Sequence, residues 1–166
     1  MEVKSVHAFT AYYERTRQVT NNFVAVIPPD KLNWAYMPGK FSLGDLVRHI
    51  AAIERHVFAE VVLGNKPTYT GCGEALASGY ENTVAYFNEM HSQSMHIFNS
   101  LSDADMQRNI KSLDGKEVEI GNFLRALVLH EIHHRGAMSV YLNLLGVQTP
   151  TILGFNEKQV IALSQQ

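Results

Sequence analysis

The chain has 166 residues, 46% of them hydrophobic, with 14 basic and 16 acidic side chains and a formal net charge of −2. That length suits a single domain, residues 1–166, able to bury roughly 70% of the surface its unfolded form exposes, so no disulfide or structural metal is needed to hold it. The near balance of charge, spread along the chain without a basic stripe, excludes the electrostatic footprint that phosphate backbones require, and nucleic acid is not an expected partner.

The opening residues, MEVKSVHAFTAYYERT, mix charge into every turn and lack the apolar core of a secretory signal; nowhere does an uninterrupted apolar run reach the length of a membrane span. A protein of the cytoplasm with no membrane partner is the expectation. Phe9, Tyr12, Tyr13, Thr16, Val19, Phe23 and Ile27 recur at three- and four-residue spacing until Pro28-Pro29-Asp30 stops the pattern, which predicts a first helix. After a loop with Trp34 and Met37-Pro38-Gly39, Ser42 and Asp45 form a capping box that opens a second helix, carried by Leu43, Leu46, Val47, Ile50, Ile53, Val57 and Val61 to Leu63-Gly64.

A glycine- and threonine-rich loop follows and holds the single cysteine, Cys72, which cannot form an internal bridge and has no basic neighbour in sequence to activate it; it reads as incidental. A third helix is predicted from about Glu74 to Leu101, weakened locally by Gly79. Asp114-Gly115, between two short β-compatible runs, predicts a hairpin or loop. Phe123, Leu127, His130, His134, Ala137, Tyr141 and Leu145 then define a fourth helix ending at Gly146, and a short tail helix is expected from about Glu157. The predicted fold is all-α, a four-helix bundle with a short hairpin or loop before the fourth helix.

The stretch HEIHHRG, residues 130–136, matches the HExxH pattern of zinc peptidases. The extended form of that motif needs glycine at 137 and histidine at 140, where the chain has Ala137 and Val140, and the only acidic residue after the fourth helix is Glu157. A peptidase is therefore disfavoured. His130 and His134 nevertheless share the apolar stripe of their helix, and positions four apart differ by about 40° in direction and about 6 Å in height, so both can reach one cation. Buried imidazoles need partners, and a divalent metal supplies one to both.

A third ligand must come from a facing helix. On the second helix His49 stands at the edge of the buried stripe, His56 two turns further along nearly the same face, and Glu60 at the same edge; spacing alone does not choose among them. His133 is turned about 60° from His130 and suits a helix interface or an outer-shell place, while His7, His91 and His96 have no partner at ligand spacing.

SLGDLVRHIAAIERHVF, the loop tryptophan before it, and LVLHEIHHRGAMSVYLNLLGV together resemble the DinB-like superfamily of bacterial four-helix bundle proteins, over nearly the whole chain. The resemblance implies a metal held by one histidine of the second helix and two of the fourth, which fall here on His49, His130 and His134. It also implies a thiol-dependent transferase or isomerase using a low-molecular-weight thiol, a small-molecule substrate and a homodimer. One departure is Ala137, where the family motif usually has glutamine.

Three imidazoles with open positions describe a catalytic rather than a closed structural site, and both zinc and nickel suit such ligands. Activation of water for hydrolysis and of a thiol for transfer are both open to it. The expectation is a thiol S-transferase acting on small electrophiles; the alternatives are a non-catalytic metal- or ligand-binding bundle and a metal-dependent hydrolase. Glu131 is a candidate base or ligand-orienting group, Arg135 a candidate anion receiver or helix pin, and Tyr141 a core residue with its hydroxyl near the cavity.

Overall fold

The computed structural model describes residues 3–152 and 154–165. Helix α1, Val6–Ala25, is capped by the Ser5 side chain, which accepts a bond from the Ala8 amide, and stops three residues before Pro28-Pro29. Helix α2, Leu43–Ile53, opens on the predicted capping box: the Ser42 hydroxyl accepts from the Asp45 amide at 3.1 Å and the Asp45 carboxylate from the Ser42 amide at 2.9 Å. It continues through a π-helical segment, Glu54–Ala59, into a final turn, α3, Glu60–Val62.

Helix α4 runs Tyr80–Asn99, so the third helix starts later than the periodicity suggests. Gly79 is the reason: its φ of +77° is a left-handed conformation that an interior helical residue does not adopt. The preceding loop is pinned instead by Arg48, fully buried, whose guanidinium donates to the Cys72 carbonyl at 2.7 Å and the Ala77 carbonyl at 3.1 Å.

The predicted hairpin is present, strand β1 (Asn109–Lys111) pairing antiparallel with β2 (Glu117–Glu119) so that Ile110 faces Val118, with Gly115 at φ +81° in the turn. Helix α5, Ile120–Leu144, follows β2 directly, and α6, Glu157–Ser164, closes the described chain. No described helix is long and apolar enough to cross a membrane.

The helices enclose two apolar clusters. One gathers Phe9 and Tyr13 of α1, Val57 and Phe58 beyond α2, Phe98 of α4 and Phe123, Leu124 and Leu127 of α5; the other gathers Phe23, Leu46, Ile50, Phe87, Met138 and Leu142. Every bundle helix carries polar residues between the two clusters: Arg17 and Thr20, Glu54, His91 and Ser94, and Glu131 and Arg135. A charged layer thus crosses the middle of the bundle, and the histidine pair of α5 lies at its level.

Candidate metal centre

Helix α2 delivers His49 and helix α5 delivers His130 and His134 to one seam, where one nitrogen from each lies within 4.8 Å of the others. The His130 and His49 Nε2 atoms are 3.1 Å apart, and the ring centroids of the three pairs are separated by 5.0, 4.6 and 4.5 Å. The other His49 nitrogen, Nδ1, lies 2.9 Å from the Tyr69 hydroxyl. Assigning the His49 proton to Nδ1, donated to the Tyr69 oxygen, leaves the Nε2 lone pair directed at the other two rings.

Burial pushes the His130 pKa down to about 3, helped by His134, His49 and His133, and pushes His134 to about 4, helped by His49 and His133; burial lowers His49 as well. All three imidazoles are therefore neutral at pH 7, the form that ligates metals. Two facing nitrogens 3.1 Å apart can share only one proton, and the buried His130 Nδ1 has no hydrogen-bond partner. A single divalent cation would meet the lone pairs of all three rings, so the residues fit a metal.

The depressed values carry a sign for stability in the metal-free protein. Unfolded histidine titrates near 6.5, so below that pH the unfolded chain binds more protons than the folded one, and stability present above pH 6.5 is lost as pH falls toward 4. The denaturation midpoint of chelator-treated protein is expected to drop between about pH 7 and about pH 4.5. A His130→Gln/His134→Gln double variant should show a flatter profile; an equal slope in the variant would remove these histidines as the cause.

The other candidates lie apart from the trio. His56 sits within the π-helical segment, whose wider turn breaks the register a straight helix would keep, and its Nδ1 lies 3.3 Å from the Thr68 hydroxyl. Glu60 bonds Arg55 and Asn65. His133 is exposed, its ring 5.0 Å from that of His134. His7 and His96 are exposed, whereas His91 bonds Glu54 at 2.8 Å in the charged layer.

Glu131 and Arg135 point to α1 rather than to the trio. The Glu131 carboxylate accepts the Thr20 hydroxyl at 2.6 Å and lies 3.0 Å from the Arg17 guanidinium, which also bonds Glu54; Arg135 donates to the Thr16 carbonyl at 3.1 Å and the Thr20 hydroxyl at 3.3 Å. Burial alone would lower the Arg17 pKa, but Glu54, Glu131 and Tyr13 outweigh it and raise the net value. Cys72 is buried, and that burial pushes its thiol pKa up, which lowers its thiolate fraction.

Three residues near the trio escape sequence reasoning. Tyr69 lies in a loop whose composition carries no signal for contact with a helix. Arg48 holds that loop in place and was hidden among the apolar residues of α2. Phe41, 5.1 Å from His49 and 6.4 Å from His134 between ring centroids, walls the open side, where a cavity of about 380 Å³ is lined by Tyr36, Lys40, His134, Ala137 and Tyr141.

The sequence pattern of the DinB superfamily matches residues 12–138. The uncharacterized protein YjoA of Bacillus subtilis (strain 168) is 29% identical over 135 residues, covering 78% of this chain and 84% of its own. Among solved structures, YfiT from Bacillus subtilis, described as a probable metal-dependent hydrolase with an unusual four-helix bundle topology, superposes with a TM-score of 0.68 at 16% identity, over 86% of this chain and 89% of its own. A mycothiol-dependent maleylpyruvate isomerase does so with a TM-score of 0.60 at 11% identity, over 80% of this chain and 60% of its own.

Proposed function

On the premise that the chain belongs to the DinB superfamily, we propose that it holds one divalent metal ion, zinc or nickel, on His49, His130 and His134 and acts as a metal-dependent thiol S-transferase toward small electrophiles. The observation that carries this reading is the convergence of three neutral imidazole nitrogens within 4.8 Å, with an aromatic cavity beside them. An ion with three protein ligands and open positions would hold a low-molecular-weight thiol in its nucleophilic, thiolate form.

The chain's own residues supply the rest. Tyr69 holds the His49 ring through Nδ1, and Phe41 and Tyr141 wall one side of the trio. Glu131 and Arg135 support the reaction by holding α5 against α1 through Thr20 and Arg17, not by touching substrate. Hydrolysis is the second reading, favoured by the description of YfiT. It calls for a base beside the ligands, and Glu131 is engaged elsewhere, which supports thiol transfer over hydrolysis.

We place the protein in the cytoplasm as a single domain and as a homodimer. A cavity of about 500 Å³ between α1 and α5, bordered by the exposed Tyr12, Leu129 and Ile132, supports a second copy on that face. The test of the function is thiol consumption: untagged, metal-restored protein incubated with bacillithiol, cysteine or coenzyme A and a generic alkylating substrate. Loss of thiol that stops with chelator and in His49→Ala is expected. No turnover across that panel, with metal bound, would overturn the transferase and leave a metal-binding protein without this chemistry.

A further inference from the structure

The cavity on the open side of the histidines has a composition that selects a ligand. Its walls are aromatic: Phe41 abuts His49 and His134, while Tyr141 is held by Tyr36 at 5.4 Å and Trp34 at 5.6 Å between centroids, both edge to face. Leu46 and Ala137 complete an apolar surface with little bulk. The volume, about 380 Å³, lies near the lower end of small-molecule sites and fits a compact ligand.

The charge of the lining has one sign. Among the described residues Lys40 is the only ionic side chain that lines it, and no aspartate or glutamate does. Lys40 stands in a turn set by Gly39 at φ +78° and by its own amide donating to the Met37 carbonyl at 3.3 Å. Among the described residues no carboxylate pairs with it, whereas Arg17, Arg48, Arg55 and Lys116 each have an acidic partner. The aromatic faces favour a flat ring, and the uncommitted Lys40 ammonium favours an anionic group on it.

We propose that this cavity binds a small aromatic carboxylate, its ring against Phe41 and Tyr141 and its carboxylate on Lys40, so that the bound acid is presented to the histidine trio. The proposal rests on the metal-centre reading for what the acid is presented to, whereas binding itself depends on the cavity and Lys40.

Trp34, the only tryptophan of the chain, packs on Tyr141 and reports occupancy by fluorescence. Benzoate and phenylacetate are titrated against benzyl alcohol and benzylamine, with metal-restored and with chelator-treated protein. The acids are expected to give a saturable change in both forms and to bind about two- to fivefold more tightly than the alcohol, the size of an exposed ion pair. Lys40→Met should remove that preference while leaving the alcohol unchanged, Lys40→Arg should keep it, and Ala137→Leu should weaken every ligand by filling the cavity.

Equal affinity for acid and alcohol, or an acid preference that survives Lys40→Met, would overturn the proposal, as would the absence of any saturable change. Elemental analysis of the same samples reports the metal separately. Acid binding without metal in reconstituted protein would keep this site and remove the metal centre; bound metal with no acid binding would do the reverse.

Discussion

Replacing Arg17 by methionine is expected to destabilise the protein by about 3–5 kcal/mol, the usual cost of removing one partner from a buried charge cluster. Arg17 is 2% exposed, and Glu54 and Glu131 are 0% exposed. Its guanidinium bonds Glu54 and the Tyr13 hydroxyl, the latter at 3.2 Å, forms an ion pair with Glu131 at 3.0 Å and stacks 4.1 Å from the Phe87 centroid, so four helical segments meet on one side chain. Methionine can fill much of the volume but leaves two carboxylates buried without their cation. Urea unfolding followed by circular dichroism reads the change as a lower midpoint at constant slope. The Arg17→Met/Glu54→Leu/Glu131→Leu variant should recover most of it, because the cost lies in the unpaired charges; a loss under about 1 kcal/mol in the single variant would mean the cluster is not the joint described.

The second large effect concerns the metal. His49→Ala and His130→Ala should each lower zinc affinity by more than about 100-fold, beyond the roughly 10–100-fold typical of groups outside the ligand set. His56→Ala and His133→Ala should leave it within a factor of about three. Competition against a chromophoric chelator measures all four. Equal losses in His56→Ala and His49→Ala would contradict the assignment of His49 to the seam, since the π-helical segment places His56 against Thr68.

The bundle was legible because each helix carries its apolar spacing openly, and because Ser42 with Asp45 and Asp114 with Gly115 state a start and a turn in local chemistry. His130 and His134 were legible for the same reason, being polar residues on an apolar stripe. The third member of the trio was not: His49 and His56 are equivalent on a straight helix, and only the family resemblance separated them, while the cause in the structure is a widened turn from Glu54. The charged layer was hidden because Arg17 follows Arg15 and Thr16 in a stretch that reads as solvated surface, and its acidic partners come from helices far along the chain. The early start assigned to the third helix has a similar origin. Leu76 and Tyr80 keep helical spacing, but Gly79 and the carbonyls held by Arg48 decide the local backbone. Tyr69 depends on that same clamp and on nothing in its own sequence neighbourhood.

The most direct test of the account is the metal content of untagged wild-type protein, measured by elemental analysis as purified and after reconstitution with zinc or nickel followed by desalting. Near-stoichiometric metal, lost in both His49→Ala and His130→Ala, is the expected result and would establish a ligand set spanning α2 and α5. No retained metal even after reconstitution would contradict the account and make the three histidines packing residues of a helical bundle.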